Sequence, residues 1–333
     1  MRACAGCGIE VPPGLLRCPG CRRLVHRDEL ERLARIAKEA AAAGDRGVAL
    51  GSWRDALELL PPDAKQHQAI QSRIAELSRG GEGKVENASS SWHSRALKGG
   101  GVGTLGLLGW KFKFLIAYIV TKGKLLVLGL TKASTLLTML ASLGVYWAAW
   151  GWKFALGLIV SIYIHEMGHV FALRGLGIKA DAPMFIPGVG AFVRLRQSPS
   201  SPREDARVGL AGPWWGMAAA LVAYGVSVAT HWPSWAAVAK FGAWINLFNL
   251  LPVWQLDGGR AFGSLTRAHR WVATLTLGAC WWVSGEGLLI LLVIAAAVQA
   301  MRPVETDEDR PILVQYIVLA IVLSWLTRIP VVL

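Results

Sequence analysis

The stretch SIYIHEMGHVFAL spans Ser161 to Leu173. Isoleucine, leucine, valine and phenylalanine surround it as in a membrane helix, yet two histidines and a glutamate stand in its middle. A charged side chain at the centre of a membrane helix costs roughly 2.5–3.5 kcal/mol on insertion scales. Such groups face a partner or a cavity, and they point by default to a function. His165-Glu166-Met167-Gly168-His169 reads H-E-x-x-H. On a helix, positions i and i+4 share one face, so both imidazoles can reach a single metal ion. Glu166 then stands where a general base toward metal-held water is needed.

Outside this stretch the chain is equally apolar. Of its 333 residues, 53% are hydrophobic, more than an ordinary soluble protein carries. Candidate spans, each near the ~20 apolar residues that a crossing requires, are residues 133–150, 152–173, 208–230, 236–252, 271–300 and 312–333. The fifth reads either as one tilted span or as a hairpin broken near Ser284-Gly285-Glu286-Gly287. The expected fold is therefore an all-α polytopic membrane protein of about six transmembrane segments, with a small zinc-knuckle and α-helical cytosolic module at its N-terminus. Lipid is its expected solvent, and the membrane of a prokaryotic cell its expected location.

The net charge of +13 fits basic cytoplasmic loops better than nucleic-acid binding. Residues 174–207 carry Arg174, Lys179, Arg194, Arg196, Arg203 and Arg207, and residues 253–270 carry Arg260, Arg267 and Arg270. Residues 231–235 carry no lysine or arginine. The positive-inside rule places both basic loops in the cytoplasm and the 231–235 tip outside. The first thirty residues hold four cysteines and many charges but no apolar leader-like run, so the N-terminal module is expected in the cytosol.

That module opens with CAGC and CPGC, which supply Cys4, Cys7, Cys18 and Cys21 within residues 1–27. In a reducing compartment, two Cys-x-x-Cys units point to metal rather than disulfides. Four thiolates fill a closed structural zinc shell, which leaves no place for His26. Residues 28–79 read as a helical hairpin. Ala49, Trp53, Ala56 and Pro61 stand at a spacing that resembles the second helix of a tetratricopeptide repeat. A small helical hairpin docked on the zinc knuckle is the alternative. Glycine and serine dominate residues 80–104, the expected linker, and residues 105–333 form the membrane domain. Lysines at 111, 113, 122 and 124 suit an interfacial segment over 110–124.

A catalytic zinc takes three protein ligands and keeps an open position. Between residues 105 and 300 the acids are Glu166, Asp181, Glu204, Asp205, Asp257 and Glu286. Asp257, in NLFNLLPVWQLDGGR, follows a span that returns to the side on which H-E-x-x-H ends, so it is the expected third ligand. The competing reading is a capping aspartate.

H-E-x-x-H in a membrane helix, followed about ninety residues later by N-x-x-P-x-x-x-L-D-G, resembles the site-2 proteases, which are intramembrane zinc metalloproteases. The matching positions are His165, Glu166, His169, Asn249, Pro252, Leu256, Asp257 and Gly258, and GLAGPWWG (Gly209–Gly216) resembles the segment that opens the family's third span. The resemblance implies a catalytic zinc on His165, His169 and Asp257, with Glu166 as base and Asn249 at the substrate or the developing oxyanion. It implies a membrane protein substrate, such as a single-span one, with the N-terminal helices available to a regulatory protein. Trp254-Gln255 stand where many members carry a second proline, which bears on the substrate groove. The rival readings are a non-proteolytic zinc-binding membrane protein and a client-binding scaffold. Met184–Arg196 matches the family's membrane-dipping hairpin or an ordinary re-entrant loop. Glu286 reads as a turn or cap, and Cys280 as a small core residue.

Overall fold

The computed structural model describes residues 2–79, 133–304 and 309–331. The expected linker over 80–104 and the interfacial segment over 110–124 lie outside the described residues. The described part is mostly helical and divides into two compact units.

In the first unit, β1 (Arg2–Ala3) pairs antiparallel with β2 (Glu10–Val11), and three helices follow: α1 (Arg27–Ala42), α2 (Arg46–Glu58) and α3 (Lys65–Arg79). The Asp45 side chain caps α2 by accepting from Val48 N at 3.1 Å. Apolar residues at helical spacing meet in a small core of Ala37, Leu50, Trp53 and Ile74. Ala49, Trp53 and Ala56 are all buried, and a third helix, α3, joins the expected pair. Residues 174–179 pack with this unit, where the buried Arg54 donates through Nε to Leu176 O at 3.2 Å.

The second unit begins with α4 (Ala133–Trp150) and α5 (Trp152–Gly175). Gly151, at φ 84°, makes the turn between them in a conformation that glycine alone adopts freely. Among the described residues, these two helices are long and apolar enough to cross a membrane. About 17% of the apolar window of α4 is buried within the protein against 67% for α5, so α4 presents Leu137 and Trp147 outward while α5 lies inside. A short hairpin, β3 (Met184–Ile186) with β4 (Gly190–Phe192), follows in the register Met184↔Phe192 and Ile186↔Gly190. This hairpin occupies the first part, Met184–Phe192, of the segment Met184–Arg196.

Next comes α6 (Pro202–Thr230), with Pro202 in its first turn and Ser201 Oγ accepting from Glu204 N at 3.2 Å. After it come α7 (Pro233–Asn249) and the short α8 (Asp257–Gly263). The stretch 271–300 is a hairpin: α9 (Arg267–Ser284) ends at Gly285, φ 69°, and α10 (Leu288–Met301) returns. Glu286 closes that turn by accepting from Leu288 N, as a cap would. The last helix, α11 (Arg310–Leu326), runs through the centre of the packing, with Tyr316 and Leu323 fully buried.

Between α7 and α8 the backbone is irregular. Buried carbonyls freed from a helix need partners. Tyr316 donates its hydroxyl to Leu250 O at 2.8 Å, and Gln299 donates Nε2 to Pro252 O at 3.1 Å. The buried Arg270 in turn donates to Phe262 O and Gln299 O. These bonds hold the loop that delivers Asp257.

Candidate metal centres and similar proteins

The helix α5 places His165 and His169 one turn apart, and the start of α8 brings Asp257 between them. His165 Nε2 lies 3.2 Å from Asp257 Oδ2, His169 Nε2 lies 3.3 Å from Asp257 Oδ1, and the two Nε2 atoms are 3.1 Å apart. Tetrahedral ligands on zinc with bonds near 2.0–2.1 Å stand about 3.3–3.4 Å from one another. The three donors therefore fit one zinc ion, and their chemistry, two imidazoles and a carboxylate, is that of a catalytic site. All three are buried, as is Glu166 beside them.

The outer nitrogens of both rings are engaged. His169 Nδ1 lies 2.8 Å from Val208 O, and His165 Nδ1 lies 2.7 Å from Asn246 Oδ1. Both acceptors require a proton on Nδ1, which leaves each Nε2 lone pair turned toward Asp257. Asn249 also reaches the site, with Nδ2 3.3 Å from His165 Nε2.

The segment GLAGPWWG acquires a physical role here. Its three glycines lie on the face of α6 turned to the site. A Cβ on Gly209 would stand 2.9 Å from Asp257 O, and one on Gly212 would overlap His169 Nε2 and stand 2.7 Å from His165 Nε2. One on Gly216 would overlap the Asn246 amide. Hydrogen in place of a side chain is what allows α6 to lie against the ligand residues. A bond from Arg260 Nη2 to Asp205 Oδ1, 2.7 Å, ties α8 to the foot of α6.

The other acids serve elsewhere. Asp181 pairs with Arg196, Asp205 with Arg260, and Glu204 accepts from Ser200 N. Asp257 is the acid that the fold brings to the histidines.

A cleft of about 1010 Å³ opens onto the site, lined by His165, Glu166, His169, Asn249 and Asp257 together with Phe192 of β4. Trp254 stands on its rim, 86% exposed and at φ 45°, a strained backbone for a bulky residue. The two residues in place of the family's second proline thus give the cleft an aromatic edge.

In the first unit, Cys4, Cys7, Cys18 and Cys21 turn their sulfurs toward one point. Cys4 Sγ is 3.6 Å from Cys21 Sγ, and Cys7 Sγ is 3.5 Å from Cys18 Sγ. Thiolates on tetrahedral zinc lie about 3.8 Å apart, so this cluster also fits the ion. Backbone N–H groups, first of Gly6 and then of Cys7, hold the Cys4 thiol down at about 6. The Ile9 N–H lowers Cys7 too, but the neighbouring sulfurs of Cys18 and Cys21 drive it up to about 12. Crowded thiols resist ionising together unless a cation shares their shell.

Asn246 and the site-facing role of the glycines carry no signal of their own in the sequence. The period of α7 offers a hint, since Asn246 and Asn249 are three residues apart and share a helix face.

Comparison with known proteins agrees with the geometry. Residues 153–240 match peptidase family M50. The chain is 28% identical over 108 residues to zinc metalloprotease MJ0392 of Methanocaldococcus jannaschii, a match covering 31% of each chain. It is 28% identical over 135 residues to a protein of Mycobacterium tuberculosis named Rip3, covering 38% of this chain and 33% of that one. The matches span about a third of the length of these curated relatives. No solved structure matches the chain significantly. The matched region holds both histidines, Glu166 and the glycines of α6, so the part of the chain that is similar to peptidase family M50 is the part that builds the site.

Proposed function

We propose that the protein is an intramembrane zinc metalloprotease that hydrolyses a peptide bond in or near a transmembrane segment of another protein. The observation that carries this reading is the convergence of His165, His169 and Asp257 beside a buried Glu166 at the floor of an open cleft. Zinc held by those three ligands would make water acidic near neutral pH and would polarise a carbonyl oxygen. Glu166 takes a proton from the attacking water and returns it to the leaving nitrogen. Water oxygen bonds to the carbonyl carbon, the C–N bond breaks, and a carboxylate and an amine leave. The Asn249 amide stands where it can donate to the substrate carbonyl oxygen as negative charge develops there. A substrate helix must unwind to enter, because its own hydrogen bonds shield its peptide groups.

In this reading α4, α5, α6, α7, the α9–α10 hairpin and α11 make up the membrane part, about six segments. The positive-inside rule supports a cytoplasmic position for the basic loops and the open cleft; in this reading the zinc-knuckle and helical module is on that side too and would receive a regulatory protein. One zinc would be catalytic and one structural. A metal carrier or a client-binding scaffold would leave Glu166 without a task. The test is incubation of the purified full chain with a panel of single-span membrane proteins, with and without a zinc chelator, reading new chain ends by mass spectrometry. Chelator-sensitive cleavage within or beside the span is expected. Intact substrates throughout, with zinc bound, would favour the binding-only reading.

A further inference from the structure

We infer that Asn246 is a positioning residue for the metal ligand His165, and that Gly216 exists to let it act. The inference deepens the proposed function, since it rests on a metal at His165, His169 and Asp257.

Asn246 is 2% exposed and sits on α7. Its Nδ2 donates to Gly242 O, one turn back on the same helix, at 2.7 Å. A carbonyl can only accept, so this bond fixes which end of the amide is nitrogen. The oxygen end is then the one 2.7 Å from His165 Nδ1. An acceptor at that point keeps the proton on Nδ1 and frees Nε2 for the metal. His169 has its equivalent partner in the Val208 carbonyl of α6, which no side-chain substitution removes. The two ligands are therefore oriented from two different helices, and His165 alone depends on a side chain.

The choice of an amide follows from burial. An aspartate there would also offer His165 an acceptor, but it would lose the bond to Gly242 O and add a third buried acid beside Asp257 and Glu166. The neutral amide supplies the acceptor without it. Room for the amide comes from α6. A Cβ on Gly216 would stand 2.5 Å from Asn246 Cγ and closer still to both amide heteroatoms, so any side chain at 216 displaces the acceptor. Nine residues further along the same helix, Gly225 has nothing within 4 Å of its Cβ position and serves as a control.

The experiment measures metal affinity rather than turnover. The full-length chain in detergent is titrated with Co²⁺ against a competing chelator, and the thiolate site is separated from the membrane site by its sulfur-to-metal absorption. Asn246→Leu and Gly216→Ala should each weaken the membrane site roughly 10- to 100-fold, the usual cost of losing a ligand's outer partner. Asn246→Asp, which keeps the acceptor but loses the Gly242 bond and adds a charge, should lose clearly less affinity than Asn246→Leu. Gly225→Ala should bind as the unaltered chain does. Should Asn246→Leu fail to fold, Gly216→Ala and Asn246→Asp decide the matter. Wild-type affinity in Asn246→Leu or in Gly216→Ala, or equal losses in Asn246→Asp and Asn246→Leu, would overturn the inference and leave the proposed function standing. An unaltered chain that takes no metal at the membrane site would remove the proposed function, and this inference with it.

Discussion

Gly212 of α6 lies directly against His169 of α5, so close that a single methyl group at 212 would overlap Nε2, the atom that turns toward Asp257. Two helices approach this closely only where one lacks a side chain. Gly212→Ala should therefore push the ring off its site while sparing the rest of α6. The expected result is a fall of at least about tenfold in zinc affinity at the membrane site, in the range seen when ligand orientation is disturbed. Chelator competition reads it, and unchanged affinity would show that the contact relaxes at little cost.

The loop ahead of Asp257 depends on Tyr316, whose hydroxyl reaches Leu250 O in the fully buried centre of α11. Tyr316→Phe keeps the ring, which packs edge-on against Phe262, and removes only the donor. Leaving a buried carbonyl unsatisfied costs about 1–3 kcal/mol. A lower unfolding midpoint in detergent is expected, together with slower hydrolysis because Asp257 loses its support. A variant as stable as the parent would mean that water or another group reaches Leu250 O.

Metal analysis should find two zinc ions per chain. Cys4→Ser with Cys18→Ser should remove one and destabilise the small first unit, because structural zinc supplies folding free energy to a domain of that size. The ion at His165, His169 and Asp257 should remain. Loss of both ions in the double variant would contradict two independent sites.

Orientation is tested by impermeant thiol labelling of cells, read peptide by peptide so that native cysteines do not interfere. Ser198→Cys and Ala268→Cys, at exposed positions in the two basic stretches, the second in the first turn of α9, should resist the external reagent. Pro233→Cys, exposed at the turn between α6 and α7, should label. The reverse pattern would invert the topology drawn from the arginines.

The chemistry was more legible in the sequence than the architecture that holds it. His165, Glu166 and His169 declare themselves because helical spacing turns i and i+4 to one face, and Asp257 because few acids compete with it. The cysteine spacing foretold a cluster that the fold does assemble. The sequence left 271–300 undecided between a span and a hairpin; Gly285 in a left-handed turn makes it a hairpin. The roles of Asn246, Gly212 and Gly216 were hidden for a different reason. Each depends on a neighbour from another helix, tens of residues away, and periodicity along one helix carries no information about which helix lies opposite. The support of the 250–256 loop by Tyr316 and Gln299 was hidden in the same way.

In the proposed mechanism Glu166 moves the proton for hydrolysis at a metal that it does not itself hold. The most direct test is Glu166→Ala in the purified full chain, assayed together for bound zinc and for cleavage of a single-span substrate that the parent cuts. Both zinc ions should be retained and cleavage abolished. Cleavage at the parent's rate by the zinc-loaded variant would contradict it.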